Sequence, residues 1–96
     1  MLDSELDIEM MHDDEAVVLI AHGAIDYRSA PRFLAAMYRA ILAGRRRVVI
    51  DLTGVEVIDA EGSSALASAT RAASDNGVKL QTTGLPATQL GSFSAA

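Results

Sequence analysis

The chain has no cysteine and no tryptophan, and aromatic residues make up only 4% of its 96 positions. Without cysteine there is no disulfide, no thiolate metal site and no thiol nucleophile. That fits a reducing compartment. With so few aromatics, the core has to be built from Val, Ile, Leu, Met and Ala. Positive charge is also scarce: 8 Lys and Arg stand against 13 Asp and Glu, for a net charge of −5. Phosphate backbones are bound by clustered Lys and Arg, so this balance argues against a nucleic-acid binder. No apolar run approaches the roughly 20 residues that span a bilayer. The acidic start, Met1 to Asp7, is not a signal peptide. A cytoplasmic protein with no membrane insertion is expected.

Half of the residues are hydrophobic, with charges interspersed, which indicates a folded chain rather than a disordered one. Its length suits a single domain over residues 1–96, with 1–7 and 91–96 expected to be flexible. A chain of this size buries only about 60–65% of its unfolded surface, so its stability margin is thin.

Read in order, Ile8 to Met11 forms a short strand and His12 to Glu15 a polar turn. The continuous apolar run Ala16 to Ala21 then reads as a buried strand, paired with the first as a hairpin. Gly23-Ala24-Ile25-Asp26 leaves the sheet. Ser29 is placed to cap a helix over Ala30 to Ala43, with Pro31 in its first turn. Phe33, Leu34, Met37, Tyr38, Ile41 and Leu42 recur at helical spacing and form its core stripe. Gly44 suits the helix end, and the cations of Arg45-Arg46-Arg47 suit the negative end of its dipole.

Arg47 to Leu52 is the clearest strand, Thr53-Gly54 a turn, and Val55 to Ile58 a short extended segment. A second helix runs from Glu61 to Asp75. Its face of Ala65, Leu66, Ala69 and Ala73 is small enough to lie close to a sheet. Asn76-Gly77 ends it, and Val78 to Thr82 is the last strand. Pro86 to Leu90 offers only a stub of a further helix before Gly91. Strands alternating with helices imply right-handed crossovers and a mixed, mostly parallel α/β sheet. In such sheets, sites gather in the loops after strand carboxyl ends. Here those loops are Gly23 to Ser29 and Leu52 to Gly62.

In three places, at matching order and spacing, the sequence resembles the STAS domain of bacterial anti-sigma-factor antagonists. Gly23-Ala24-Ile25-Asp26 is similar to that family's Gly-x-apolar-Asp. Val48-Val49-Ile50-Asp51-Leu52-Thr53-Gly54-Val55 is similar to its apolar strand followed by Asp-Leu-Ser/Thr. Ile58-Asp59-Ala60-Glu61-Gly62 lies where the family has an apolar residue and Asp-Ser-Ser-Gly, and Leu66 matches the apolar residue after it. The resemblance implies a small STAS-like fold with a truncated C-terminal helix.

It also implies a binding module, not an enzyme: an anti-anti-sigma factor that engages an anti-sigma factor with a GHKL-type kinase domain. The kinase phosphorylates the first Ser of the motif and so breaks the complex. The alternative within the same fold is a STAS subunit of an ABC-type lipid-trafficking complex, bound to its ATPase subunit.

Here the phosphorylated Ser is replaced by Ala60 and the next Ser by Glu61, so the usual covalent switch has no hydroxyl to act on. Either the domain binds its partner constitutively, or Glu61 supplies a fixed charge that imitates the modified state poorly. The candidate partner-binding residues are Asp26, Thr53, Asp59, Ala60, Glu61, Gly62, Ser63 and Ser64. Asp59 serves equally well as a helix N-cap, and Glu61 as an acid suited to the helix dipole. No cofactor, metal site or catalytic set is read, and His12 and His22 read as surface or satisfied histidines. The short C-terminus leaves sheet surface open to self-association, so a homodimer is expected.

Overall fold

Two apolar runs, Ala16–Ala21 and Val48–Leu52, lie side by side at the centre of a four-stranded sheet in a computed structural model, which describes residues 6–84. The elements are β1 (Asp7–His12), β2 (Ala16–Ile25), α1 (Ala30–Ile41), β3 (Arg47–Ile58), α2 (Ala60–Asp75) and β4 (Lys79–Thr83). The strand order is β1-β2-β3-β4. β1 is antiparallel to β2, while β2–β3 and β3–β4 are parallel. The hairpin, the mixed sheet and the two helices are those expected from the sequence.

Each parallel step needs a crossover helix. Right-handed crossovers that step the same way along a sheet put both helices on one face, and α1 and α2 do pack on each other. Side-chain alternation identifies the face they cover. Val17, Leu19 and Ala21 of β2 and Val48, Ile50 and Leu52 of β3 are buried. The residues between them, Val18, Ile20, Val49 and Asp51, point the other way and are half-buried. Above the covered face lie Phe33, Met37, Ala40 and Ile41 of α1 and Ala65, Leu66, Ala69 and Ala73 of α2. The alanines let α2 approach closely, as their size predicts.

Several boundaries differ from the expectation. β1 begins at Asp7, which pairs with His22, and Leu6 before it is buried. Gly23-Ala24-Ile25 does not leave the sheet: after irregularities at Ile20/His22 and Gly23/Ala24, β2 continues to pair with β3 as far as Ile25 and Ile58. Gly23, at φ 105°, takes up one of these irregularities in a conformation that favours glycine. Thr53-Gly54 is likewise no turn but part of a continuous β3. The imidazole of His22 lies over Gly54, where any side chain would collide with it.

α1 ends at Ile41, two residues early. Leu42 is its cap and is 71% exposed, and Tyr38 is 39% exposed, so neither belongs to the core. The expected stripe was too wide. Residues 38 and 42 drift to the outer side because 3.6 residues per turn rotate an i, i+4 line off the buried face. The segment from Pro86 to Leu90 and residues 91–96 lie outside the described residues.

The turn between β1 and β2 is closed by Asp13, whose Oδ1 accepts the N–H groups of Glu15 and Ala16, both at 2.8 Å. These bonds hold its carboxyl below the ordinary carboxylate range. Arg45 ties this turn to the end of α1. Its Nε donates to the Asp13 carbonyl (2.7 Å) and its Nη1 to the Ala43 carbonyl (3.3 Å).

Phe33 is fully buried between helix and sheet. Phe33→Ala is expected to cost about 3–5 kcal/mol in urea unfolding, and Tyr38→Ala well under half of that. Equal effects would show that the helix is seated differently.

Candidate functional site

β2 and β3 end together, Ile25 beside Ile58, so the loop into α1 and the junction into α2 emerge at one edge. Asp59 joins them. Its backbone is extended (φ −94°, ψ −172°), as an N-cap requires. Oδ1 accepts the N–H of Gly62 at 3.0 Å, which satisfies one of the free donors at the start of α2. Oδ2 accepts the N–H of Tyr27, also at 3.0 Å, across 32 residues of sequence. The Asp59 N–H donates to the Ile25 carbonyl (3.0 Å), and its carbonyl accepts from Ser63 (2.9 Å). One carboxylate therefore starts α2 and fixes the neighbouring loop.

That loop is also braced internally. Asp26 Oδ1 accepts the N–H groups of Arg28 (3.0 Å) and Ser29 (3.2 Å), and its Oδ2 pairs with the Arg28 guanidinium at 3.2 Å. Burial pushes the Asp26 carboxyl upward, but Arg28 and these N–H donors outweigh it and hold the group below the ordinary range. Ser29 occupies the N-cap position of α1 but makes no cap bond. Its Oγ instead accepts from the Asp26 N–H (3.0 Å) and donates to the Ala24 carbonyl (2.9 Å), closing the loop on β2.

Asp26, Asp59, Ala60, Glu61, Gly62, Ser63 and Ser64 are thus brought to one edge. Ala60, Glu61 and Ser64 are exposed, Ser63 is half-buried and Gly62 is buried. Gly62 allows α2 to start against the sheet: a Cβ there would lie 2.7 Å from side-chain carbons of both Ile25 and Ile58, and 2.8 Å from the Ile25 carbonyl oxygen. Thr53 stands apart, six residues before Asp59 along β3, on the order of 15–20 Å away at strand rise. Its N–H donates to Asp51 Oδ1 (3.0 Å), the leading cause of that carboxyl's lowered pKa.

Sequence reasoning missed two exposed apolar residues at the same edge. Tyr27 is 69% exposed, with the Arg28 guanidinium 5.7 Å from its ring centre, and Val57 is 51% exposed. Val57 lies on the continuation of β3, which Thr53-Gly54 separates from the strand when read locally, so alternation does not assign its face. Tyr27 carried no periodic signal, being one residue of a loop. Among the described residues no group of three or more His, Asp or Glu is arranged to hold a metal ion.

The two bonds of Asp59 can be separated experimentally. Asp59→Asn keeps one acceptor but presents an NH₂ where the second stood, so it is expected to cost about 0.5–2 kcal/mol in chemical denaturation. Amide exchange should rise at Tyr27 or at Gly62, whichever donor is abandoned. Gly62→Ala should lower stability by about 1–3 kcal/mol despite alanine's better helix propensity. A stabilised Gly62→Ala protein would mean that α2 does not start against Ile25.

No curated protein matches the sequence. Among solved structures, an anti-sigma factor antagonist from Mycobacterium paratuberculosis superposes with TM-score 0.75 at 21% identity, covering 84% of this chain and 68% of that one. The anti-sigma factor antagonist SpoIIAA in its unphosphorylated form gives TM-score 0.77 at 17% identity, covering 96% and 84%. The chain also matches 19% of the length of Mglu, at 26% identity over 82% of its own residues and TM-score 0.72. These likenesses show a shared fold. The family described as "Mlab, STAS domain" matches residues 8–96, and the chain belongs to the STAS family.

Proposed function

We propose that this protein is a binding module, not an enzyme, and that it docks on a partner through the edge formed by the start of α2 and the loop after β2. The observation that carries this is the exposure of Ala60, Tyr27 and Val57 around a junction held rigid by Asp59. Exposed aromatics on a pre-organised surface are what interface anchors require. Asp26 and Asp59 hold the surface in shape, Gly62 lets it lie flat, and Ala60, Glu61, Ser63 and Ser64 meet the partner. Thr53 contributes only if the partner reaches well along β3.

The partner in this reading is an anti-sigma factor with a GHKL-type kinase domain, in a cytoplasmic pathway that regulates transcription. The fold shared with anti-sigma factor antagonists supports it. Ala60 leaves that kinase no hydroxyl at the family position, so binding is constitutive. The family description favours a second reading, in which the same edge holds the ATPase subunit of an ABC-type lipid-trafficking complex. The expected homodimer, in either reading, leaves this edge free.

Ala60→Glu is expected to abolish capture of the partner, by at least about 100-fold, because it buries an unpaired charge at the contact. Its unfolding midpoint should stay unchanged. Ala60→Ser separates the two readings. With the kinase partner and ATP, the variant acquires phosphate and is released while the parent chain stays bound. With an ABC ATPase, ATP changes neither. Full binding by Ala60→Glu would move the interface elsewhere.

A further inference from the structure

We propose that the outer face of α1 seats this protein on the surface of an anionic lipid bilayer, without crossing it. Six of the eight cations, Arg28, Arg32, Arg39, Arg45, Arg46 and Arg47, fall between residues 27 and 50, where there is no Asp or Glu. All 13 acids lie elsewhere, with only Arg71 and Lys79 among them. A chain of net charge −5 therefore carries one basic stretch, and basic amphipathic helices are typical of membrane surfaces.

α1 buries Phe33, Met37, Ala40 and Ile41 against the sheet. Ala35, Tyr38 and Leu42 recur at three- and four-residue spacing on its opposite side, and all three are exposed. Arg32 and Arg39, seven residues apart, run beside this line toward β1, since Arg32 Nη2 donates to the Leu6 carbonyl. That bond uses one of five guanidinium donors and leaves the charge. The Arg39 and Arg46 side chains make no hydrogen bond or ion pair among the described residues.

The acids that border this face stand at its ends. Asp26 is paired with Arg28. The turn Asp13-Asp14-Glu15 meets the arginine cluster: Arg45 Nε donates to the Asp13 carbonyl, and the N–H groups of Arg46 and Arg47 donate to the Glu15 carbonyl. Glu61 and Asp75 belong to the first and last turns of α2. Asp7 and Glu9 pair with His22 and Ile20, so they point to the other face of the sheet.

The form of the face fits a bilayer. Its cations are spread along a helix of 12 residues, about 18 Å long, and not gathered around a pocket. That spacing suits a continuous layer of headgroups. The rest of the chain carries 13 acids against two cations, so an anionic plane repels it and turns this face inward. Tyr38 and Leu42 supply a shallow apolar contact at the headgroup boundary. Each cation near such a surface adds only about five-fold to binding, so the association is weak and sensitive to salt.

Flotation of the full chain with lipid vesicles tests this. Vesicles containing phosphatidylglycerol should carry the chain at low salt and release it as salt is raised, while phosphatidylcholine vesicles should not bind it. Arg39→Glu leaves the Leu6 contact alone and should weaken binding at least about ten-fold, and Arg32→Glu in the same chain about ten-fold more. The chain has no tryptophan, so Leu42→Trp places a single reporter at the contact. Its emission should shift to the blue on the vesicles. That of Gln81→Trp, on the other face beside Val49, should not. Circular dichroism checks that each variant is folded. A chain that ignores phosphatidylglycerol vesicles overturns the proposal, even if an acidic protein takes the same face. Binding that survives the double charge reversal, leaves Leu42→Trp unshifted or shifts Gln81→Trp overturns it as well.

Discussion

The handedness of two crossover connections sets most of what this molecule can do. Strands β2, β3 and β4 lie in sequence order and in parallel, so α1 and α2 must return over the same side of the sheet. Three results follow. Among the described residues the main hydrophobic core forms between the helices and one sheet face. The loops leaving β2 and β3 emerge at one edge, where Tyr27 can reach Asp59. The second face of the sheet is left with apolar side chains that neither helix covers.

Within that frame a single carboxylate organises the site. Asp59 caps α2 with one oxygen and holds the loop before α1 with the other. Capping is a local matter, worth about 1 kcal/mol in most helices. The second bond is tertiary, and it turns two separate loops into one surface. Gly62 completes the arrangement by letting the helix start against Ile25 and Ile58. The exposed residues of this surface are therefore presented on hydrogen-bonded backbone. Ala60 stands at its centre without a hydroxyl, so control by phosphate at that position is chemically closed to this chain.

Much of the fold was legible in the residues. The run Val48 to Leu52, the small-residue face of α2 and the order of elements all follow from periodicity and composition, and the structure keeps them. The errors share one cause. Gly23 and Thr53-Gly54 carry turn chemistry, and read locally they end strands. In the structure β2 and β3 support each other through those positions to Ile25 and Ile58, because neighbouring backbone groups are satisfied across the pair. Tyr38 and Leu42 failed for the related reason that periodicity marks a stripe but not its width.

The sequence by itself determined the class of fold, the strands at the centre, an acid at Asp59 suited to cap α2 and the absence of a hydroxyl at Ala60. Each of these depends on a residue's own chemistry or on its near neighbours. Tertiary structure decided that Tyr27 and Val57 are exposed beside that helix start. It also decided that Thr53 stands apart, and that Asp7, Glu9, Arg47 and Lys79 share one face with Val49. These are relations between residues far apart in the chain, set by strand register and crossover hand, and no local pattern encodes them.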